Sequence, residues 1–308
     1  MTAGISNPWP NSESEFLGLI EQIETELIVK EAPISLRVIP ALGLIHKRLK
    51  VEIPITTIKK DTPTPGSYKG EDLTLRVINW YDQFYGDRML HDFTPGRTVL
   101  LLRGDIWTLR PPRFYGHAVA FCSQSEPTVR PPNGRGPVRY NILDAIEELA
   151  PGLRNALCKQ ELGYIERVFE VGHTALQELE SVLNLAMVTD AFADLNAAVF
   201  HLTIRNRHHG LSKWASLQAV EKMLKAFCKV KTGHFKTGHD LEPIALTAEG
   251  AGLRQIDRRL LKTIQCSPNV RYGEEPVSLI EAVDAHHASL GICGQVAQQL
   301  NVGKIIPG

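Results

Sequence analysis

Between Arg205 and Lys236 the chain gathers positive charge: Arg205, Arg207, Lys213, Lys222, Lys225, Lys229, Lys231 and Lys236 stand against Glu221 alone. Gln218, Lys222, Lys225 and Lys229 recur at three- and four-residue spacing, which aligns them along one helix face. Ammonium groups in such a row can hold phosphate through charge-assisted hydrogen bonds. A solvated basic face would have the same pattern. Glu221 lies four residues before Lys225, the favourable sense for a helical ion pair, and is also placed to meet Arg205 or Arg271. His208 and His209 follow Arg205 and Arg207. Imidazole as acid or base beside a phosphate-steadying guanidinium is the equipment of a metal-independent nuclease, and a charged interhelix loop is the alternative.

Other histidines read more plainly. Asp240 is placed to cap a helix starting near Leu241, leaving His239 in the loop before it. His286-His287 offers one inward and one outward ring on a helix, and His201 lies among Val199, Phe200 and Leu202 as a core residue. Arg271-Tyr272 supplies a guanidinium for bidentate phosphate contact and a ring on which a base can stack. The five cysteines are single and no C-x-x-C pair exists, which favours free thiols over disulfides or a zinc site. Phosphate loops, dinucleotide fingerprints, H-E-x-x-H and G-x-S-x-G are absent.

The element that must carry the cationic row is SKWASLQAVEKMLKAF, expected as a helix with Ser212 as its N-cap. Trp214, Leu217, Val220, Leu224, Phe227 and Cys228 form its apolar stripe. Upstream, Ser14–Lys30 reads as an amphipathic helix: Phe16, Leu19, Ile20, Ile23 and Leu27 line one side, and Glu13, Glu15, Glu21, Glu24 and Glu26 make the other acidic. VEIPITTI reads as an edge strand and LTLRVINWYDQFYGDRML as a helix with a weak point at Gly86. TVLLLRGDIWTLR reads as two strands turning at Gly104-Asp105, with HAVAFCS as a third in an antiparallel sheet. Ser125 to Arg139, rich in Pro, Gly and Arg, reads as a linker. NILDAIEELAPGL, KQELGYIERVFEVGHTALQELESVLNLA, DAFADLNAAVFHLTIR, LRQIDRRLLKTI and PVSLIEAVDAHHASLGICGQVAQQL all carry helical periodicity.

The expected class is α+β overall. An N-terminal α+β module (1–124) leads through a linker (125–140) and connecting helices (141–187) to an all-α antiparallel bundle (188–302). Lys plus Arg and Asp plus Glu are both 34, so net charge favours no partner and only the local patch does. No basic segment followed by an apolar one opens the chain, and no run is long enough to span a bilayer, so a cytoplasmic protein away from membranes is expected.

Residues 188 to 300 resemble the HEPN family, the higher eukaryotes and prokaryotes nucleotide-binding domain. The matching features are Asp194-Leu195-Asn196-Ala197-Ala198, Gln218-Ala219-Val220-Glu221-Lys222-Met223-Leu224-Lys225-Ala226, Gly238-His239-Asp240-Leu241 and Arg271-Tyr272, in that order. The resemblance implies a bundle of four or five helices, often a homodimer, that binds nucleotide or RNA without a further cofactor or metal. It implies a setting in stress, toxin–antitoxin or phage-defence systems, with a nucleotidyltransferase or antitoxin as partner. Gln218, Lys222, Lys225, Lys229, Arg271 and Tyr272 become the binding residues, with Trp214, Glu221 and Asp240 structural. Family members that cut RNA carry Arg and His four to six residues apart near the start of the last helix. Here no histidine follows Arg271 until His286, and Arg167 to His173 has the spacing but precedes the matching region. Binding without cleavage is therefore the first expectation. A ribonuclease using His208, His209 and Arg205, and a dimerisation module paired through the last helix, are the alternatives.

Overall fold

The computed structural model describes residues 8–54, 60–89, 94–114, 116–131 and 136–301. A mixed N-terminal region with small sheets precedes a packed helical bundle, so the fold is α+β and mostly helical. Two compact units divide between Asp92 and Phe93.

The first unit is helical among its described residues: α1 (Glu13–Val29), α2 (Val38–Leu49) and α3 (Gly70–Tyr85). Ser12 caps α1 by accepting from the Glu15 amide, and Phe16, Ile20, Ile23 and Leu27 go inward at the spacing their sequence shows. The β-branched composition around Pro40 concealed α2. Its proline lies in the first turn, where no intrahelical amide bond is lost. Val51–Pro54, the described part of VEIPITTI, forms no strand, and residues 55–59 lie outside the described residues. Helix α3 ends at Gly86, whose φ of 54° lets the chain turn away. Glu24 does not join the acidic outer face of α1. It is buried, accepts from the Tyr81 hydroxyl at 2.8 Å, and meets Arg37 and Tyr85 as well. A carboxylate can sit there only because these donors surround it.

The second unit opens with an antiparallel hairpin, β1 (Thr98–Leu102) and β2 (Asp105–Leu109). Its turn is Arg103-Gly104, one residue earlier than the sequence suggested. Both residues have positive φ, 54° and 83°, matching the right-handed twist of the strands. Strand β3 (Ala118–Phe121) does not extend this sheet. It pairs in parallel with β4 (Val138–Asn141), which occupies the end of the stretch read as a linker. That stretch is also tied by reciprocal backbone bonds between Val129 and Arg139 and by the buried Asn141 amide, which donates to the Ser123 and Glu126 carbonyls. NILDAIEELAPGL is not one helix but a 3-10 turn at Ile142–Ala145 and a short α4 (Pro151–Ala156).

The bundle consists of α5 (Lys159–Ser181), α6 (Ala186–Thr203), α7 (His209–Thr232), α8 (Leu241–Gly250), α9 (Arg258–Ile264) and α10 (Leu279–Asn301). It therefore begins at Lys159 rather than 188: α5 is a full member, and Ala175, Leu176 and Leu179 belong to the same core as Leu217, Val220 and Leu224. Helices α5 and α10 touch so closely that a Cβ at Gly294 would lie 2.7 Å from the Ala175 Cβ. Helix α10 spends its apolar surface on α5, α6, α7, α9 and β1 of its own chain. The hairpin is pinned to the bundle: His286 Nε2 lies 3.0 Å from Thr98 Oγ1, His287 donates to the Val99 carbonyl, and the Leu101 amide donates to the Tyr164 hydroxyl. His286 is buried, and His287 is half-buried and lines a cavity beside Tyr164 and Val168. Among the described residues no helix is long and apolar enough to cross a membrane.

Candidate functional site

Helix α7 is the axis of the bundle. Ser212 does not cap it: the helix starts at His209, and the buried Ser212 hydroxyl donates instead to the Ala198 carbonyl of α6 at 2.9 Å. Leu217, Val220, Leu224, Phe227 and Cys228 are buried as the stripe required, but so are Ala215, Ala219, Met223 and Ala226. An amphipathic surface helix was expected, and a helix enclosed on almost every side is found. Its less covered edge carries the half-buried Trp214, Gln218 and Lys222, with Glu221 buried among them.

The cationic row is only partly free. The Lys222 ammonium lies 2.6 Å from Asp194 Oδ2 on α6, as an ion pair without hydrogen-bond alignment. Burial raises the Asp194 carboxyl pKa, against the opposing pull of Lys222. Lys225 is buried; it donates to Glu221 Oε1 at 2.6 Å and to the Gly238 carbonyl at 3.0 Å. Glu221, itself 5% exposed, meets neither Arg205 nor Arg271. Its partners are Lys225, His239 Nδ1 at 2.8 Å and the Gln218 amide at 3.2 Å. Lys229 alone of the row stands exposed.

Two short segments close in on this edge. Gly238 and His239 come from the connection to α8, which Asp240 caps by accepting from the Glu242 amide, as expected. The 3-10 turn Pro268–Tyr272 supplies Arg271 and Tyr272. That turn lies flush on the start of α7: a Cβ at Gly210 would sit 2.1 Å from the Val270 carbonyl oxygen. The contact places the Arg271 guanidinium 4.5 Å from the Trp214 ring centroid and 5.1 Å from that of Tyr272, and Trp214 in turn lies 6.0 Å from His239. Tyr272 is 70% exposed. Asp194, the Gln218–Lys225 stretch, His239 and Arg271-Tyr272, separated by up to 78 positions in sequence, thus meet on one edge of the bundle. Arg271 Nε donates to the Pro268 carbonyl at 3.3 Å, so its terminal N–H groups are the ones placed to meet an anion, and the exposed phenol ring beside them offers a stacking face.

Sequence reasoning missed the ties between these residues. Nothing in the local pattern paired Lys222 with Asp194 or Glu221 with His239. Gly210, which passed unnoticed in the sequence, is the residue type that could have signalled close backbone approach.

The alternative nuclease residues lie at the start of α7 and in the segment before it. His209 Nδ1 lies 3.2 Å from the Val277 carbonyl, Arg207 pairs with Asp105, and Arg205 and His208 are exposed. His173 stacks on Phe169 at 5.4 Å and takes part in a different pocket. The cysteines are free, and among the described residues no group of three or more His, Cys, Asp or Glu could hold a metal ion. Comparisons of the chain with family models, with curated proteins and with solved structures find no match.

Proposed function

We propose that this edge of the bundle binds single-stranded RNA or a nucleotide, as the HEPN-like motif order implies. The observation that carries the reading is the Trp214–Arg271–Tyr272 cluster, a cation lying against two rings at the surface. Arg271 takes the phosphate and Tyr272 the base. Lys229 adds charge at the far end of α7, fifteen residues from Trp214, about 22 Å along a helix. A single nucleotide does not span that distance and a short strand does, so RNA is the preferred ligand. Lys222 and Lys225 shape the edge through their partners Asp194 and Glu221 and contribute less free charge than their spacing suggested.

The pairing also changes the test. Lys225→Glu would set two carboxylates together inside the fold and lose structure along with binding. Arg271→Ala and Tyr272→Ala alter exposed groups. Each is expected to weaken binding of a labelled oligonucleotide by about fivefold or more, since a stacked base or a charge-assisted phosphate contact is worth ~1–3 kcal/mol. Fluorescence anisotropy across a salt series reads both the loss and the electrostatic share. Unchanged affinity in both variants would sink the proposal.

A further inference from the structure

Helix α10 packs against both α5 and α9. Where its side chains shorten to Ala288 and Gly291, a cavity of about 510 Å³ opens, with Val168 and Val171 of α5 and Leu260 of α9 as apolar walls. Pockets of ~300–1,000 Å³ are the size that takes small ligands. A Cβ added at Gly291 would meet only Val171 Cγ1, at 3.9 Å, so the space above this residue is open. A floor of two small residues between branched walls makes a slot, which a flat ring fills. Val171 and Leu260 are exposed, and a ring lying between them would take their apolar surface out of water.

Two polar side chains line the same space, and the backbone of β1 fixes the role of each. Tyr164 and His287 have ring centroids 6.4 Å apart. The Leu101 amide donates to the Tyr164 hydroxyl at 3.2 Å, and His287 Nε2 donates to the Val99 carbonyl at 2.8 Å. A carbonyl only accepts, so Nε2 carries the proton and Nδ1 is left with a lone pair. Burial lowers the His287 pKa, which keeps the ring neutral at neutral pH. Among the described residues nothing donates to His287 Nδ1. The Nδ1 of its neighbour His286 is also unpaired, but it is sealed in the core, whereas that of the half-buried His287 remains reachable. The Tyr164 hydroxyl proton likewise meets no acceptor among the described residues.

Together these features select one chemical class. The charged side chains of the lining, Arg167 and Asp284, are exposed and opposite in sign, so they favour neither an anion nor a cation. An ion entering the slot would give up its hydration without gaining a buried counter-charge. A wholly apolar ring would strip the water from His287 Nδ1 and put nothing in its place, which leaves an unpaired acceptor. His287 and Gly291 stand one helical turn apart, about 6 Å along the axis, which a fused two-ring molecule spans. We propose that this cavity binds a flat, neutral aromatic molecule carrying an N–H or O–H donor, with its ring over Gly291 between Val171 and Leu260 and its donor on His287 Nδ1. None of these residues belongs to the RNA-binding edge, so either site can fail alone.

The test is a ligand-observed NMR titration of the full chain with indole and with benzothiophene, which has the same two-ring shape and no donor. Indole should bind saturably with a Kd of about 1 mM or tighter. Benzothiophene should bind about threefold or more weakly, the share of one hydrogen bond. In His287→Phe this preference for indole should vanish. Gly291→Leu places a side chain in the slot and should weaken indole binding by about tenfold or more, with an unfolding midpoint no lower than the parent's. Absence of saturable indole binding, benzothiophene binding as tightly as indole, a preference kept in a folded His287→Phe, or unchanged affinity in Gly291→Leu overturns the proposal. Where a variant fails to fold, the two ligands on the parent chain decide.

Discussion

At the scale of single residues, Glu221 decides more than any of the lysines around it. It is the one acid in a basic stretch, and its two oxygens hold Lys225, His239 and Gln218 in one arrangement. Removing its charge leaves the buried Lys225 ammonium with neutral partners, the Gly238 carbonyl and the Phe235 ring at 5.8 Å among them, and no counter-charge in contact. Breaking one side of a buried pair typically costs ~3–5 kcal/mol, whereas an exposed pair is worth under ~1. Glu221→Gln should therefore lose roughly 3 kcal/mol in urea unfolding, and a loss below ~1 kcal/mol would show that the pair is effectively solvated. The i, i+4 spacing made the Lys225 contact legible in the sequence. The His239 contact was not, because it depends on how the segment after Gly233 folds back over α7. The sequence likewise gave no sign that Glu24 would turn inward, since its partners Arg37, Tyr81 and Tyr85 come from other parts of the first unit.

At the scale of elements, the candidate site depends on close approach between a helix start and a turn. Gly210 leaves no space between α7 and the Val270 carbonyl, and this contact aims Arg271 at Trp214. In an exposed helix Gly→Ala gains up to ~1 kcal/mol from propensity. Here the added methyl would lie 2.1 Å from a backbone oxygen, so overpacking of ~1–3 kcal/mol outweighs the gain. Gly210→Ala should displace the turn, alter Trp214 fluorescence and weaken RNA binding while leaving the far end of the bundle packed. Unaltered emission and affinity would mean that the turn is held from elsewhere. Most helices were legible from their periodicity, because burial on one face leaves a regular trace. Helix α2 was not, since proline and β-branched residues in its first turn imitate an extended segment. Strand β4 hid within a Pro- and Gly-rich run because its parallel partner lies seventeen or more residues upstream, too far for a local pattern.

At the scale of the whole molecule, the mixed N-terminal region and the bundle could be expected from composition and period, and the place where the units divide could not. The hairpin belongs with the bundle through two adjacent histidines of α10. His286 is fully enclosed, and burial lowers its pKa to about 3 from an ordinary value of 6.5. Between those values the unfolded chain binds a proton that the folded chain refuses, so stability rises with pH across that window and falls as pH is lowered through it. His287, His173 and His201 are also lowered by burial and act in the same direction. His286→Gln should flatten the acid side of the stability curve between about pH 6.5 and 3, read from urea midpoints at successive pH values. A curve superimposable on the parent's would place the acid sensitivity in other groups.

The enclosure of α7 has one more consequence. Gln218, Glu221 and Lys225 stand on a helix that cannot shift without repacking the core, and only the connection before α8 and the Pro268–Tyr272 turn lie at its margins. A ligand reaching this edge finds a surface already in its bound shape along one side. The loss of freedom on association then falls on the ligand itself and on those two short margins, so a pre-stacked strand should be favoured over a floppy one of equal charge.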